Sequence, residues 1–159
     1  MESVRELIED HAARGVFRFS PQPSDKIGSE RYRIVWFRGQ TMQLDVDSRH
    51  GRATLCGFLP PVSPRTKLDR ELRAWLKSHE SHERPAHRRR DPTQFKTVLR
   101  NADSVMRVSI TSTEGNPVQA TRKLLQLVNE LYLEFLADAS RYNWIVETFD
   151  LDPDSSRWP

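Results

Sequence analysis

From Asn116 the chain carries about twenty residues in the pattern of one amphipathic helix, and that helix constrains everything before it. Asn116-Pro117 is a start signal. The asparagine side chain can accept from the first free amides, and proline suits the first helical position. Val118, Leu124, Leu125, Val128, Leu131, Tyr132, Phe135 and Leu136 form a wide apolar stripe. A stripe of that width must be buried against an apolar surface of similar size. Upstream, apolar residues recur mainly with the period of two that marks strands, so a sheet is expected to supply that surface.

The strands are legible in order. Val16 to Phe19 is expected as a short one, followed by a loop from Ser20 to Glu30. Arg31 to Arg38 is apolar on both sides, as a central strand would be. Thr41 to Asp47 alternates, with Met42, Leu44 and Val46 inward and Gln43, Asp45 and Asp47 outward. Arg52 to Leu59 follows, and the hairpin-sized links Gly39-Gln40 and His50-Gly51 make this group an antiparallel meander. Val105 to Thr111 and Tyr142 to Phe149 complete the strands.

Three further helices are expected. Ser3-Val4-Arg5-Glu6 is a capping box opening one that Gly15 ends. Ser63 with Pro64 opens a second, with Leu68, Leu72, Trp75 and Leu76 as its stripe. Asp91-Pro92 opens a third, short one, in which Phe95, Val98, Leu99 and Ala102 share a face. The sum is an α+β domain of order α-β-β-β-β-α-α-β-α-β, with helices packed on an antiparallel sheet. One domain is expected over 1–150 and a tail over 151–159.

Size and composition agree. A chain of 159 residues can bury roughly 68–70% of its unfolded surface. Hydrophobic content of 36% is low and charge of 30% is high, but the apolar residues fall in periodic blocks, which argues against disorder. The start is acidic and lacks the apolar run of a secretory signal, and no run approaches a membrane span. Cys56 is the only cysteine, which rules out an internal disulfide framework and fits a reducing cytoplasm. Its place in a strand pattern suggests a small buried hydrophobe. A net charge of +3 is an ordinary solubility margin.

Chemistry-bearing motifs are sparse. The segment His79 to Arg90 is rich in His and Arg, yet His79-Glu80-Ser81-His82 lacks the two-histidine helical spacing of HExxH, and Pro85 separates His82 from His87. No metal is expected. Arg84, His87, Arg88, Arg89 and Arg90 are anion-binding candidates, because they precede the helix start expected at Asp91. Against them stand Glu80, Glu83 and Asp91, and no aromatic residue interleaves for base stacking. Asp150, Asp152 and Asp154 open like a calcium loop, but Ser155 stands where its glycine belongs. No glycine-rich phosphate cradle, nucleophile elbow, dinucleotide fingerprint or acid/base pair is present, so no catalytic residue and no cofactor is expected. Leu127 and Leu133 fall off the main stripe of the long helix. Either the first or third helix covers them, or they are interface candidates for a homodimer.

The element order resembles that of the YbjN family and the type III secretion chaperones. The matching parts are Leu7-Ile8, the strands near Ile34-Val35-Trp36, Leu44-Asp45-Val46 and Thr54-Leu55-Cys56, the helix Leu68 to Leu76, and Met106 to Ile110 leading into Pro117. Those chaperones are typically acidic and this chain is basic; the arginine segment and the strand after the long helix are additions. The resemblance implies a non-catalytic cytoplasmic module, chaperone- or regulator-like, that binds another protein or a second copy. The alternatives are polyanion or nucleic-acid binding through 84–90, and an enzyme whose site assembles from distant residues.

Overall fold

The architecture comes from a computed structural model that describes residues 2–24, 26–36, 39–59, 62, 64–78 and 94–135. Its elements are α1 Val4–Ala13, β1 Arg18–Gln22, β2 Ser29–Trp36, β3 Gln40–Asp47, β4 Arg52–Cys56, α2 Lys67–Ser78, β5 Phe95–Ala102, β6 Val105–Ser112 and α3 Pro117–Glu130. A π-helical turn, Leu131–Phe135, continues α3. The six strands form one sheet of order β1-β2-β3-β4-β6-β5, every neighbouring pair antiparallel. The α+β class expected from the sequence is the class observed. The strand expected at 142–149 and the tail lie outside the described residues.

One face of the sheet is covered. Period two sends Tyr32, Ile34 and Trp36 of β2, Met42, Leu44 and Val46 of β3, and Ala53 and Leu55 of β4 to the same side, with Met106, Val108 and Ile110 of β6. All are buried. They meet α3, which packs on β4 and β6 and carries α1 against its flank. Leu124, Leu125 and Val128 point from α3 into that core. Each such side chain contributes about 1.5–3 kcal/mol by leaving water.

The helix ends follow the local chemistry. Ser3 Oγ accepts from the Glu6 amide at 3.1 Å. At the other end of α1, Gly15 takes φ +79°, and the amides of Gly15 and Val16 donate to Ala12 and His11 carbonyls, closing a Schellman motif. Asn116 Oδ1 accepts from the amides of Val118 and Gln119, both at 3.1 Å, which starts α3. Tyr132, in the π-helical turn, donates its buried hydroxyl to the Phe58 carbonyl at 3.0 Å. Burial holds that phenol well above its ordinary pKa, so it remains a donor.

Four local expectations are corrected. Residues 95–102 are strand β5, not a short helix. Their apolar spacing fits both periods, but Asp103 and Ser104, at φ +54° and +66°, make a two-residue hairpin turn that returns the chain alongside β6. Strand β1 runs on to Gln22 through Pro21, which an edge strand tolerates because a missing amide there need not break the ladder. Helix α2 begins at Lys67 rather than behind Pro64, because Arg65 adopts φ +66° and Thr66 becomes the cap, its Oγ1 accepting from the Asp69 amide at 3.3 Å. Finally, Leu127 is 5% exposed and shares a void of about 10 Å³ with Leu72, Trp75 and Leu76 of α2. Its apolar position is answered within the chain, by α2, while Leu133 stays 67% exposed.

A polar clamp ties α2 to the sheet. Asp69, buried in the first turn of α2, accepts from Arg73 Nε and the Arg65 amide, both at 3.3 Å, with Asn101 Nδ2 at 3.5 Å. Arg73 also donates to the Leu99 carbonyl of edge strand β5 at 3.0 Å. Burial raises the pKa of Asp69, but the hydrogen bonds and the Arg73 charge outweigh it and leave the carboxyl below its ordinary value. Among the described residues no helix is long and apolar enough to cross a membrane.

Candidate functional site

The same alternation that fills the core puts every second strand residue on the opposite face of the sheet. None of the described helices packs there; α1 and α3 make their strand contacts from the core side. This open face holds a hollow of about 410 Å³, walled by Ser24, Lys26 and Ser29 at one end and by side chains of β2, β3, β4 and β6 across its floor.

Strand register arranges that floor in rows. One row runs Arg31, Asp45, Thr54, Ser109, Val98 across β2, β3, β4, β6 and β5. It is internally satisfied: Arg31 Nε donates to Asp45 Oδ1 at 2.7 Å, Gln43 Nε2 donates to Asp45 Oδ2 at 3.0 Å, and the Thr54 and Ser109 hydroxyls bond at 2.9 Å. A second row runs Asp47, Arg52, Thr111, Lys96. There Asp47 bonds His50 Nδ1 at 2.7 Å and accepts from the Arg49 amide at 3.0 Å, while Arg52 Nε donates to Thr111 Oγ1 at 3.2 Å. Burial raises the Asp47 carboxyl, but its bonds to His50 and the backbone more than offset this, and its pKa lies below the ordinary value.

The third row is different. Ser20, Arg33, Gln43, Cys56, Arg107 and Arg100 lie across all six strands, and the row contains no carboxylate. Arg33, Arg100 and Arg107 are exposed and have no ion-pair partner among the described residues. Arg100 and Arg107 stand directly opposite each other. Like charges in that relation destabilise a sheet by a few tenths to about 1 kcal/mol. Nothing in the core requires this pair.

Sequence reasoning placed Cys56 as a buried hydrophobe. It is instead only partly buried, on this face, flanked in register by Gln43 and Arg107. The anion-binding candidates Arg84, His87, Arg88, Arg89 and Arg90 lie outside the described residues. The arginines on the open face were missed because they are dispersed in sequence, one or two per strand. Their signal is the off-beat position: each alternates with a core residue, as Arg33 does with Tyr32 and Ile34 and Arg107 with Met106 and Val108. Which of them become neighbours depends on strand order.

Among the described residues the face holds no assembled nucleophile and base. His50 bonds Asp47, but no hydroxyl or thiol is hydrogen-bonded to that histidine among the described residues. No three His, Cys, Asp or Glu side chains cluster as a metal would need, again among the described residues. What the arrangement offers chemically is a shallow, hydrogen-bonding, arginine-bearing platform. No protein-family model, curated protein or solved structure matches this chain.

Proposed function

We propose that the protein is a non-catalytic binding module, chaperone- or regulator-like, that holds another protein on the open face of its sheet. The observation carrying this reading is the asymmetry of the sheet. One face is sealed by α1, α2 and α3, while the other presents a 410 Å³ hollow and a row of arginines without partners among the described residues. A face that served only to meet solvent would gain by interspersing charges of both signs, as the Arg31–Asp45 row does. The order of helix, meander, helix, strands and long helix, which resembles the YbjN-like and secretion-chaperone domains, supports the same reading.

The test is site-specific photo-cross-linking in cells expressing the full chain. A cross-linker at Ser109, on the floor of the open face, is expected to give a discrete adduct with one identifiable protein. One at Glu9, on the exposed side of α1, is expected to give none. The identified partner, purified and added back, should protect the amides of β3, β4 and β6 from exchange. No adduct at Ser109, or protection confined to the helices, overturns the reading.

A further inference from the structure

We infer that the ligand of the open face is an acidic, extended polypeptide segment, laid across the strands so that its carboxylates meet Arg33 on one side and Arg107 with Arg100 on the other. This rests on the reading that the face binds protein, and adds the chemistry of what it binds.

The charge pattern points that way. In the neighbouring row Arg31 is neutralised by Asp45 at 2.7 Å, so the sheet itself supplies an acid where its structure calls for one. In the row of Arg33, Arg107 and Arg100 it supplies none. The opposed Arg100 and Arg107 repel each other until an anion bridges them, and guanidinium forks hold a carboxylate through two parallel hydrogen bonds. Binding an acid therefore relieves a repulsion already present in the free protein.

Spacing fits an extended chain. Neighbouring strands lie about 4.8 Å apart, so Arg33 on β2 and Arg107 on β6, three strand spacings away, are separated by roughly 14 Å. An extended segment advances about 3.4 Å per residue, so acidic residues at i and i+4 reach Arg33 and Arg107 together. Gln43 and Cys56 lie between them and leave the middle of the ligand without a charge requirement.

A nucleic acid fits less well. Among the described residues, the strand positions pointing to this face include no aromatic side chain, and base stacking on aromatics is what holds single strands on open sheets. Asp45, in the adjacent row, and Asp47, one row beyond it, would repel a continuous phosphate backbone. A peptide with acids only at chosen positions avoids them.

The experiment uses the full chain and four labelled probes in fluorescence anisotropy. These are a twelve-residue peptide of Ser, Thr and Gly with Glu at i and i+4, the same peptide with Gln for Glu, the same with Glu at i and i+1, and a twelve-nucleotide single-stranded RNA. The i, i+4 peptide is expected to bind tightest, and to weaken at least about tenfold in the Arg33→Ser, Arg107→Ser double variant. A variant with Arg84, Arg88, Arg89 and Arg90 all changed to Ser should retain that binding. Unchanged melting temperatures would show that the variants are folded.

Equal binding of the Glu and Gln peptides overturns the acidic ligand but leaves a protein-binding face intact. Loss of binding only in the 84–90 variant moves the site off the sheet and also overturns the inference. Tighter binding of the RNA than of any peptide, abolished by the Arg33 and Arg107 changes, removes this inference and the protein-binding reading together.

Discussion

The two faces of this sheet draw on the same strands and answer to different demands. On β3, Met42, Leu44 and Val46 are buried beneath the helices, while Gln43, Asp45 and Asp47 alternate with them on the open side. On β6 the buried Met106, Val108 and Ile110 alternate with Arg107, Ser109 and Thr111. The covered face has one requirement, to exclude water, and any well-packed apolar set meets it. The open face is under no such pressure, yet it holds a specific electrostatic arrangement that includes a repulsive pair. Neighbouring residues of one strand thus answer to two demands, apolar packing on one side and an arrangement of charge on the other.

Substitutions on adjacent positions should expose that division. Leu44→Ala removes a fully buried side chain and is expected to destabilise the fold by about 2–5 kcal/mol, whereas Gln43→Ala, one residue away, should change it by less than about 0.5 kcal/mol. Comparable losses in chemical denaturation would break the comparison.

A smaller effect is expected at the clamp between α2 and β5. Asp69→Asn should cost about 1–2 kcal/mol at neutral pH through weakened charge-assisted bonds to Arg73 and the Arg65 amide. The folded carboxyl titrates below its unfolded value of 3.8, so its contribution is complete above that pH and lost as pH falls through the folded value. The stability difference between the two proteins should therefore shrink below pH 3.8. A difference that is constant from pH 7 down to the acid transition would show that Asp69 acts by shape and not by charge.

The smallest effect has the opposite sign. Arg100→Thr relieves the repulsion with Arg107 and places a β-favouring residue on the strand, so stability should rise by up to about 0.5 kcal/mol at low salt. The gain should fade at high salt, where the repulsion is screened. Destabilisation by more than about 1 kcal/mol would mean that Arg100 supports the fold, and the open face would lose its claim to independence.

Much of the covered face was legible in advance. Alternation over 41–47 and 105–111, the Ser3 and Asn116 caps, and the apolar stripe of the long helix as far as Phe135 are local patterns, and each was found where the pattern put it, while Leu136 lies outside the described residues. Segment 95–102 was misread because Phe95, Val98, Leu99 and Ala102 satisfy the helical period as well as Phe95, Thr97 and Leu99 satisfy the strand period. The positive φ angles at Asp103 and Ser104 decide the matter, and neither residue announces them as glycine would. The candidate site was less visible still. A search for contiguous charge led to 84–90, and the arginines of the open face stand one or two to a strand.

Period-two patterning is written into consecutive residues, because successive side chains of an extended backbone must point to opposite sides. That alone assigned Met42, Leu44 and Val46 to the core, and the apolar stripe after Asn116 supplied the helix that covers them. Lateral neighbours are another matter. Arg33 faces Gln43 through a short hairpin, but Cys56 meets Arg107 only because β6 inserts between β4 and β5. That pairing is chosen by the collective burial of α3 against β4 and β6, a non-local free energy that no stretch of sequence carries by itself, and it is what turns scattered arginines into a row.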